Sequence, residues 1–211
     1  MDKQYIESFV KEIGDKWYYP FDFDDVVVKP NLMKKDSEGL KNWSRLKPIM
    51  SDLFSKVDNP HVFDIGCNMA LYGHEMTKMG SKVTGVDRNL KTANFYKRYV
   101  TENLNEQWLV NMTELDVLKE SFRDETVNIV TLFCVIYHLH DNEKVILEKI
   151  KEWFPNLKYV VVQANEPRVK KRKQPLSGLK GIQGLLTSTN YEIETHAWDG
   201  YPKPVVVGKN V

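Results

Sequence analysis

His61-Val62-Phe63-Asp64-Ile65-Gly66-Cys67-Asn68-Met69-Ala70 is a short apolar run that ends in an acidic residue, a glycine and a polar turn. A helix-like stretch follows, with Leu71, Glu75, Met76 and Met79 at helical spacing, and Gly80 suits a left-handed C-terminal cap. The alternation then repeats. Residues 82–87 read as a second strand, 92–104 as a second helix and 107–110 as a third strand. Residues 127–134, β-branched and apolar on both faces, have the character of a central strand. Residues 143–154 form the next helix, with Ile146, Leu147, Ile150, Trp153 and Phe154 on one side, and 159–162 a fifth strand. Strands and helices alternating at this spacing predict an α/β fold, a parallel sheet with helices on both faces.

The C-terminal third departs from this rhythm. Leu179, Ile182, Leu185 and Leu186 mark one more helix, and residues 191–198 and 204–207 two strands with only 199–203 between them. So short a connection forces an antiparallel hairpin at the sheet edge. Upstream, Leu40, Trp43, Leu46, Ile49, Met50, Leu53 and Phe54 fall at helical spacing behind an aromatic stretch, Trp17-Tyr18-Tyr19-Pro20-Phe21. Residues 1–56 therefore read as a helical N-terminal lid and 57–211 as the core.

Composition bounds the function. With 211 residues, 42% hydrophobic and 28% charged, the chain is an ordinary globular one, which excludes a disordered or low-complexity array. A net charge of +1 excludes a polycation that coats nucleic acid. Two cysteines, Cys67 and Cys134, make no disulfide framework and point to a reducing environment. No signal-like or membrane-length apolar run is present, so a cytoplasmic protein without a membrane partner is expected.

In an open parallel sheet, ligands sit beyond the carboxyl ends of the strands. The turn Asp64-Ile65-Gly66-Cys67-Asn68 occupies that place, and Gly66 allows ligand to approach the backbone. Asp87, which closes the second strand 23 residues after Asp64, can accept hydrogen bonds from both hydroxyls of a ribose. A dinucleotide pyrophosphate needs G-x-G-x-x-G. Here Asn68 would crowd it and Asp64 would repel it, whereas a ligand with an ammonium and a sulfonium suits both residues.

The ordered set of Asp64-Ile65-Gly66-Cys67-Asn68-x-Ala70, Gly85-Val86-Asp87 and Phe133-Cys134-Val135-Ile136-Tyr137-His138-Leu139 resembles class I S-adenosylmethionine-dependent methyltransferases. The terminal hairpin, ending Pro204-Val205-Val206-Val207-Gly208, resembles that family's reversed last strand. The likeness covers residues 45–208, with Asn68 and Ala70 in place of the second and third loop glycines. It implies a Rossmann-like, seven-stranded, mostly parallel sheet and S-adenosyl-L-methionine as cofactor. It places Asp64, Gly66 and Asn68 at the methionine part, Asp87 at the ribose, Asn111 and Met112 at the adenine, and Phe133 and Cys134 at the cofactor's flank, with Cys67 and Arg88 also among the cofactor-binding residues. Met112 and Phe133 read equally as plain core.

A narrower likeness is to the branch that modifies the tRNA wobble uridine, through Trp43-Ser44-Arg45-Leu46 and the Tyr137-His138 pair. Members of that branch use a carboxylated donor. The chain lacks most of their N-terminal extension, and small-molecule enzymes share the Tyr-His feature. Methyl transfer from a sulfonium needs alignment and, for a protonated nucleophile, a base. His138 fits that role by its ordinary pKa and Tyr137 an orienting one; capping of the next helix is the competing reading for His138. Glu166, Trp17 and Tyr18 are candidates for the substrate side. Residues 168–173, with five basic side chains in six, read either as a grip on RNA or as a solvated loop.

No Asp/Asn-Pro-Pro-aromatic run and no Pro-Cys pair marks a base methyltransferase of duplex DNA, and no Cys or His spacing marks a metal site. The expectation is an enzyme that methylates a small-molecule or nucleotide-like acceptor. The rivals are an RNA-modifying (carboxy)methyltransferase and a catalytically silent cofactor-binding module.

Overall fold

The computed structural model describes residues 4, 8, 21–23, 26–28, 38–68, 70–88, 110–114, 116–139, 142–163, 178–199 and 203–211. Near the N-terminus β1 (Phe21–Phe23) and β2 (Val26–Val28) pair antiparallel as a separate ribbon. Helix α1 (Glu38–Ser55) leads into β3 (His61–Ile65), which is followed by α2 (Leu71–Lys78), β4 (Lys82–Asp87) and β5 (Val110–Glu114). The second half contains β6 (Ile129–Phe133), α3 (Glu143–Trp153), β7 (Tyr159–Gln163), α4 (Leu179–Ser188), β8 (Tyr191–His196) and β9 (Val205–Asn210).

Among the described residues one sheet of seven strands has the order β5-β4-β3-β6-β7-β9-β8. The first five are parallel, and β9 runs antiparallel to both β7 and β8. The chain reverses its direction of winding between β3 and β6, so the ligand crevice of such a sheet lies above those two strands.

Both faces of the sheet are covered, which is why β6 and β7 are almost continuously apolar. On one face Phe63, Val130, Leu132, Val160 and Val162 pack against Ile146, Ile150 and Trp153 of α3 and Ile182 and Leu186 of α4. On the other, Val62, Ile129 and Val161 meet Leu46, Met50 and Leu53 of α1 and Met76 of α2. Helix α1 ends near the start of β3, so its C-terminal half lies at the amino ends of the strands. Its first turns, with Asn42 and Trp43, lie at the carboxyl ends.

The observed elements differ from the expected ones in register. The third strand is Val110–Glu114, displaced from 107–110. It is the sheet's edge, and the polar residues Asn111 and Thr113, which in the sequence look like a strand's end, are inside it. The central strand is trimmed at both ends. Asn128 leaves it to accept the His61 N–H at 3.0 Å on its side-chain oxygen, and Cys134 leaves it at φ 57°. Gly80 takes the left-handed conformation, at φ 91°. The segment expected as a helix over 92–104 lies outside the described residues. No helix among the described residues is long and apolar enough to cross a membrane.

Candidate functional site

The site is built at the carboxyl ends of β3, β4 and β6. After Ile65 the chain turns through Gly66 at φ 75°, and the Gly66 and Cys67 N–H groups both donate to the Val86 carbonyl, at 2.8 and 3.2 Å. A Cβ on Gly66 would lie 2.4 Å from Cγ2 of Val135. Glycine is therefore required twice over, by the backbone angle and by the loop that follows β6. Asn68 at φ 50° and Ala70 at φ 56° complete a turn unusually rich in left-handed residues, from which α2 begins.

Two carboxylates flank this turn. Asp64 is buried on the α1 side of the sheet and accepts a hydrogen bond from the Thr131 hydroxyl at 2.7 Å. Burial pushes its pKa up to about 7; the Thr131 bond pulls it down and the Asp87 charge adds to the rise. Asp87, half-buried at the end of β4, accepts the Asn68 backbone N–H at 2.8 Å and so ties the second strand to the turn. The Asn68 side-chain oxygen is buried with no hydrogen-bond partner. An unpartnered buried acceptor in the turn that follows a buried carboxylate suits a cationic group. A ligand ammonium would satisfy both, so these residues fit the methionine part of S-adenosylmethionine. The Cys67 thiol is held well above its ordinary pKa by burial and by the two carboxylates, so it serves as packing rather than as a nucleophile.

Arg88 is exposed just beyond Asp87. Asn111 and Met112 do not lie beyond the third strand as expected. They pair with Thr84 and Gly85 inside it, two to three residues below the level at which Asp87 pairs with Glu114. The residues that continue from the end of β5 are Asp116 and Val117; Asp116 accepts from the Leu118 N–H at 3.2 Å and pairs with Lys119 at 3.2 Å. Their signal in the sequence is the carboxylate after an alternating strand, and the displaced register hides it.

On the other side of the crevice, Phe133 ends β6 and Cys134 follows it. Tyr137 and His138 belong to a single 3-10 turn, Ile136–His138, with His138 exposed and its N–H bonded to the Val135 carbonyl at 2.8 Å. Trp17, Tyr18 and Glu166 and the basic run 168–173 lie outside the described residues. The group of three or more His, Cys, Asp or Glu side chains that a metal ion needs is absent among the described residues.

Sequence reasoning does not find the polar cluster next to Cys134. Asn42 of α1 and Gln163 at the end of β7 form a reciprocal amide pair: Gln163 Nε2 donates to Asn42 Oδ1 at 2.7 Å, and Asn42 Nδ2 donates to Gln163 Oε1 at 3.0 Å. Asn42 Nδ2 also donates to the Tyr72 hydroxyl at 2.7 Å, and the Cys134 thiol to Gln163 Oε1 at 3.0 Å. Trp43 stacks on Tyr72 with ring centroids 5.7 Å apart, and Tyr72 meets the edge of Phe133 at 5.4 Å. The first turns of α1 are thus part of the site's wall.

Residues 63–152 match the family model of a methyltransferase domain, whereas no curated protein matches the chain. Among solved structures, magnesium protoporphyrin IX methyltransferase from Synechocystis PCC 6803, with bound S-adenosylmethionine, is similar at TM-score 0.64 and 12% identity over 85% of this chain and 87% of that one. An S-adenosylmethionine-dependent methyltransferase from Aquifex aeolicus is similar at TM-score 0.60 and 18% identity, over 84% of this chain and 100% of that one. The bifunctional kinase-methyltransferase WbdD is similar at TM-score 0.71 and 14% identity over 97% of this chain, which spans only 46% of it. At these identities the likeness is one of fold.

Proposed function

We propose that this chain, which carries a methyltransferase domain of the class I S-adenosylmethionine-dependent fold, methylates a small-molecule or nucleotide-like acceptor. The observation that carries this reading is the pair Asp64 and Asn68, a buried carboxylate and an orphaned amide oxygen at the switch point of the sheet. Both want a cation, which a methionine ammonium supplies and a pyrophosphate does not. Gly66 and Cys67 line the same end. Asp87, at the end of β4, is the carboxylate proposed to hold a ribose, with Arg88 beside it. Asp116 and Val117 replace Asn111 and Met112 as the residues proposed to meet the adenine, and Phe133 and Cys134 face the reacting end.

S-adenosylmethionine supplies an electrophilic methyl carbon and leaves as a neutral thioether. What the protein adds is alignment. The donor side is held by the turn and the two carboxylates; the acceptor side lies above β6 and β7. In this reading His138, exposed on the turn past β6, takes the proton of the acceptor's nucleophile and Tyr137 orients that nucleophile. Trp17, Tyr18 and Glu166, with the N-terminal segment as a lid that excludes water, complete the acceptor side in this reading.

Calorimetric titration with S-adenosylmethionine and its demethylated product, with NAD as control, tests it. Micromolar binding of both nucleosides, lost in Asp87→Ala and absent for NAD, is the expected result. No binding by the wild-type protein would overturn the assignment.

A further inference from the structure

Cys134, the first residue past β6, has φ at 57°. The left-handed region is unfavourable to a residue with a Cβ, and such a conformation persists only where the surroundings hold it. Here the hold is a side-chain bond. The Cys134 thiol donates to Oε1 of Gln163 at 3.0 Å. Gln163 is the last residue of β7 and the sheet partner of Phe133, so the bond ties the end of one strand to the start of the loop after its neighbour. Burial raises the thiol's pKa, against the pull of Lys203, so the sulfur carries the proton that this bond needs.

An amide can turn either its oxygen or its nitrogen toward a neighbour. Asn42 decides which. Its Oδ1 accepts from Gln163 Nε2 at 2.7 Å and its Nδ2 donates to Gln163 Oε1 at 3.0 Å, which leaves the Gln163 oxygen turned to the thiol. Both amides are buried, so each depends on the other to keep that orientation.

The direction of the turn decides where Val135 goes. Its side chain occupies the space in which a Cβ of Gly66 would stand, so it is seated on the bare face of the glycine in the donor turn. The 3-10 turn Ile136–His138 starts from the same residue, with the His138 N–H on the Val135 carbonyl at 2.8 Å. Asn42, Gln163, Cys134, Val135 and Gly66 thus form one continuous chain of contacts, from α1 to the turn between β3 and α2.

We propose that Gln163 is a positioning residue for the methyl donor: through the Cys134 thiol it holds the left-handed turn after β6, which seats Val135 on Gly66 and keeps the two loops that flank the donor at one spacing. This role rests on the methyltransferase reading for its meaning. Gln163 acts through Cys134 and not by touching the donor, and Asn42 acts one step further back by orienting the amide. Without the bond the turn relaxes out of the left-handed region in the free protein. Donor binding must then restore it, so the apparent affinity falls by the fraction of molecules that still hold the competent conformation.

The test uses the full chain carrying Asn42→Leu and Gln163→Met together, a pair that removes both buried amides and with them the thiol's acceptor. Its stability is expected to lie close to that of the wild type. Calorimetric binding of S-adenosylhomocysteine is nonetheless expected to weaken about tenfold, the order of a left-handed residue's penalty. The backbone chemical shifts of residue 134, which report the sign of φ, should lose their left-handed values in the ligand-free double variant and regain them on binding. Adding Cys134→Gly should restore part of the affinity, because glycine takes φ 57° without the bond. In chains whose amide pair is intact, Cys134→Ser, which keeps a donor facing Gln163, should retain most of the affinity and Cys134→Ala should not. Wild-type affinity in the double variant, a residue 134 that stays left-handed there, a triple variant that binds no tighter than the double, or equal losses in Cys134→Ser and Cys134→Ala overturns the proposal. No binding of S-adenosylhomocysteine by the wild type would instead overturn the methyltransferase reading, and the shifts of residue 134 without ligand would still decide whether the bond holds the turn.

Discussion

The Thr131 hydroxyl donates to Asp64 Oδ1 at 2.7 Å across two neighbouring parallel strands, and Thr131 is paired with Asp64 in the sheet register. Alternate positions of β3, β6 and β7 point to the α1 face, and on that face Asp64, Thr131 and Gln163 are the polar exceptions among Val62, Ile129, Phe133 and Val161. The apolar strands thus carry their chemistry on one side and at one end.

Asp64 links donor binding to pH. Its folded pKa, about 7, lies above the ordinary carboxyl value, so the donor-free folded protein holds a proton that the unfolded chain releases near pH 4. Stability from this group is present at low pH and is lost as pH rises through about 7. A ligand ammonium favours the ionised form, so affinity for S-adenosylmethionine is expected to fall as pH drops below 7, with proton release on binding. Calorimetry in buffers of different ionisation enthalpy measures that release. Thr131→Val should move the transition upward, because the bond that favours the carboxylate is gone.

Gly66→Ala is expected to destabilise by roughly 1–3 kcal/mol through overpacking, with left-handed backbone strain in addition. The obstacle is Val135, 2.4 Å from the new Cβ. Val135→Ala in the same chain should restore part of the melting temperature but not all of it, since φ 75° is unfavourable to any side chain. Full recovery would show that the backbone angle costs nothing.

The Asn42–Gln163 pair should display the asymmetry of buried hydrogen bonds. Asn42→Leu leaves the fully buried Gln163 amide nitrogen with a 3.5 Å bond to the Lys203 carbonyl in place of the 2.7 Å one to Asn42, and is expected to cost roughly 1–3 kcal/mol beyond the change in packing. Adding Gln163→Met, which removes that amide, should recover most of that loss. Chemical denaturation of the two single variants and the double variant measures the coupling directly.

His61 and His74 predict an opposite, acid-side loss of stability. His61 is buried between the Thr126 and Thr84 hydroxyls at 2.7 and 2.9 Å; burial and then Lys82 lower its pKa, and Asp124 only partly opposes them. Burial and Lys78 lower that of His74 to about 4. Both groups bind a proton more readily in the unfolded chain, so their contribution is complete above pH 6.5 and is lost as pH falls from there toward 4. Melting temperatures over that range should fall less steeply in His74→Gln than in the wild type.

Much of this was legible in the chain. The central strands are apolar on both faces and bounded by glycines, so period and punctuation agree, and Lys82–Asp87 is read to the residue. Gly66, Asp64 and Asp87 follow from their positions at strand ends. The edge strand lies at Val110–Glu114 and not at 107–110 because an alternation of polar and apolar residues reads as a loop, and Asn111 and Met112 fall inside it. Asn42, Trp43, Tyr72 and Gln163 were invisible for another reason. Amide pairs and ring stacks between residues 29 to 121 positions apart have no local signature, and at helical spacing Trp43 looks like any other core residue.

Helix α1 is anchored at both ends, by Leu46, Met50 and Leu53 in the core and by Asn42 at the carboxyl end of β7. A rod fixed in this way cannot swing aside without exposing the core, so it serves as a jamb rather than a door. Passage of an acceptor into the crevice must be governed by segments other than residues 42–53. Variants of this helix should therefore change which molecules fit and how tightly, while the rate of entry and exit is tuned elsewhere in the chain.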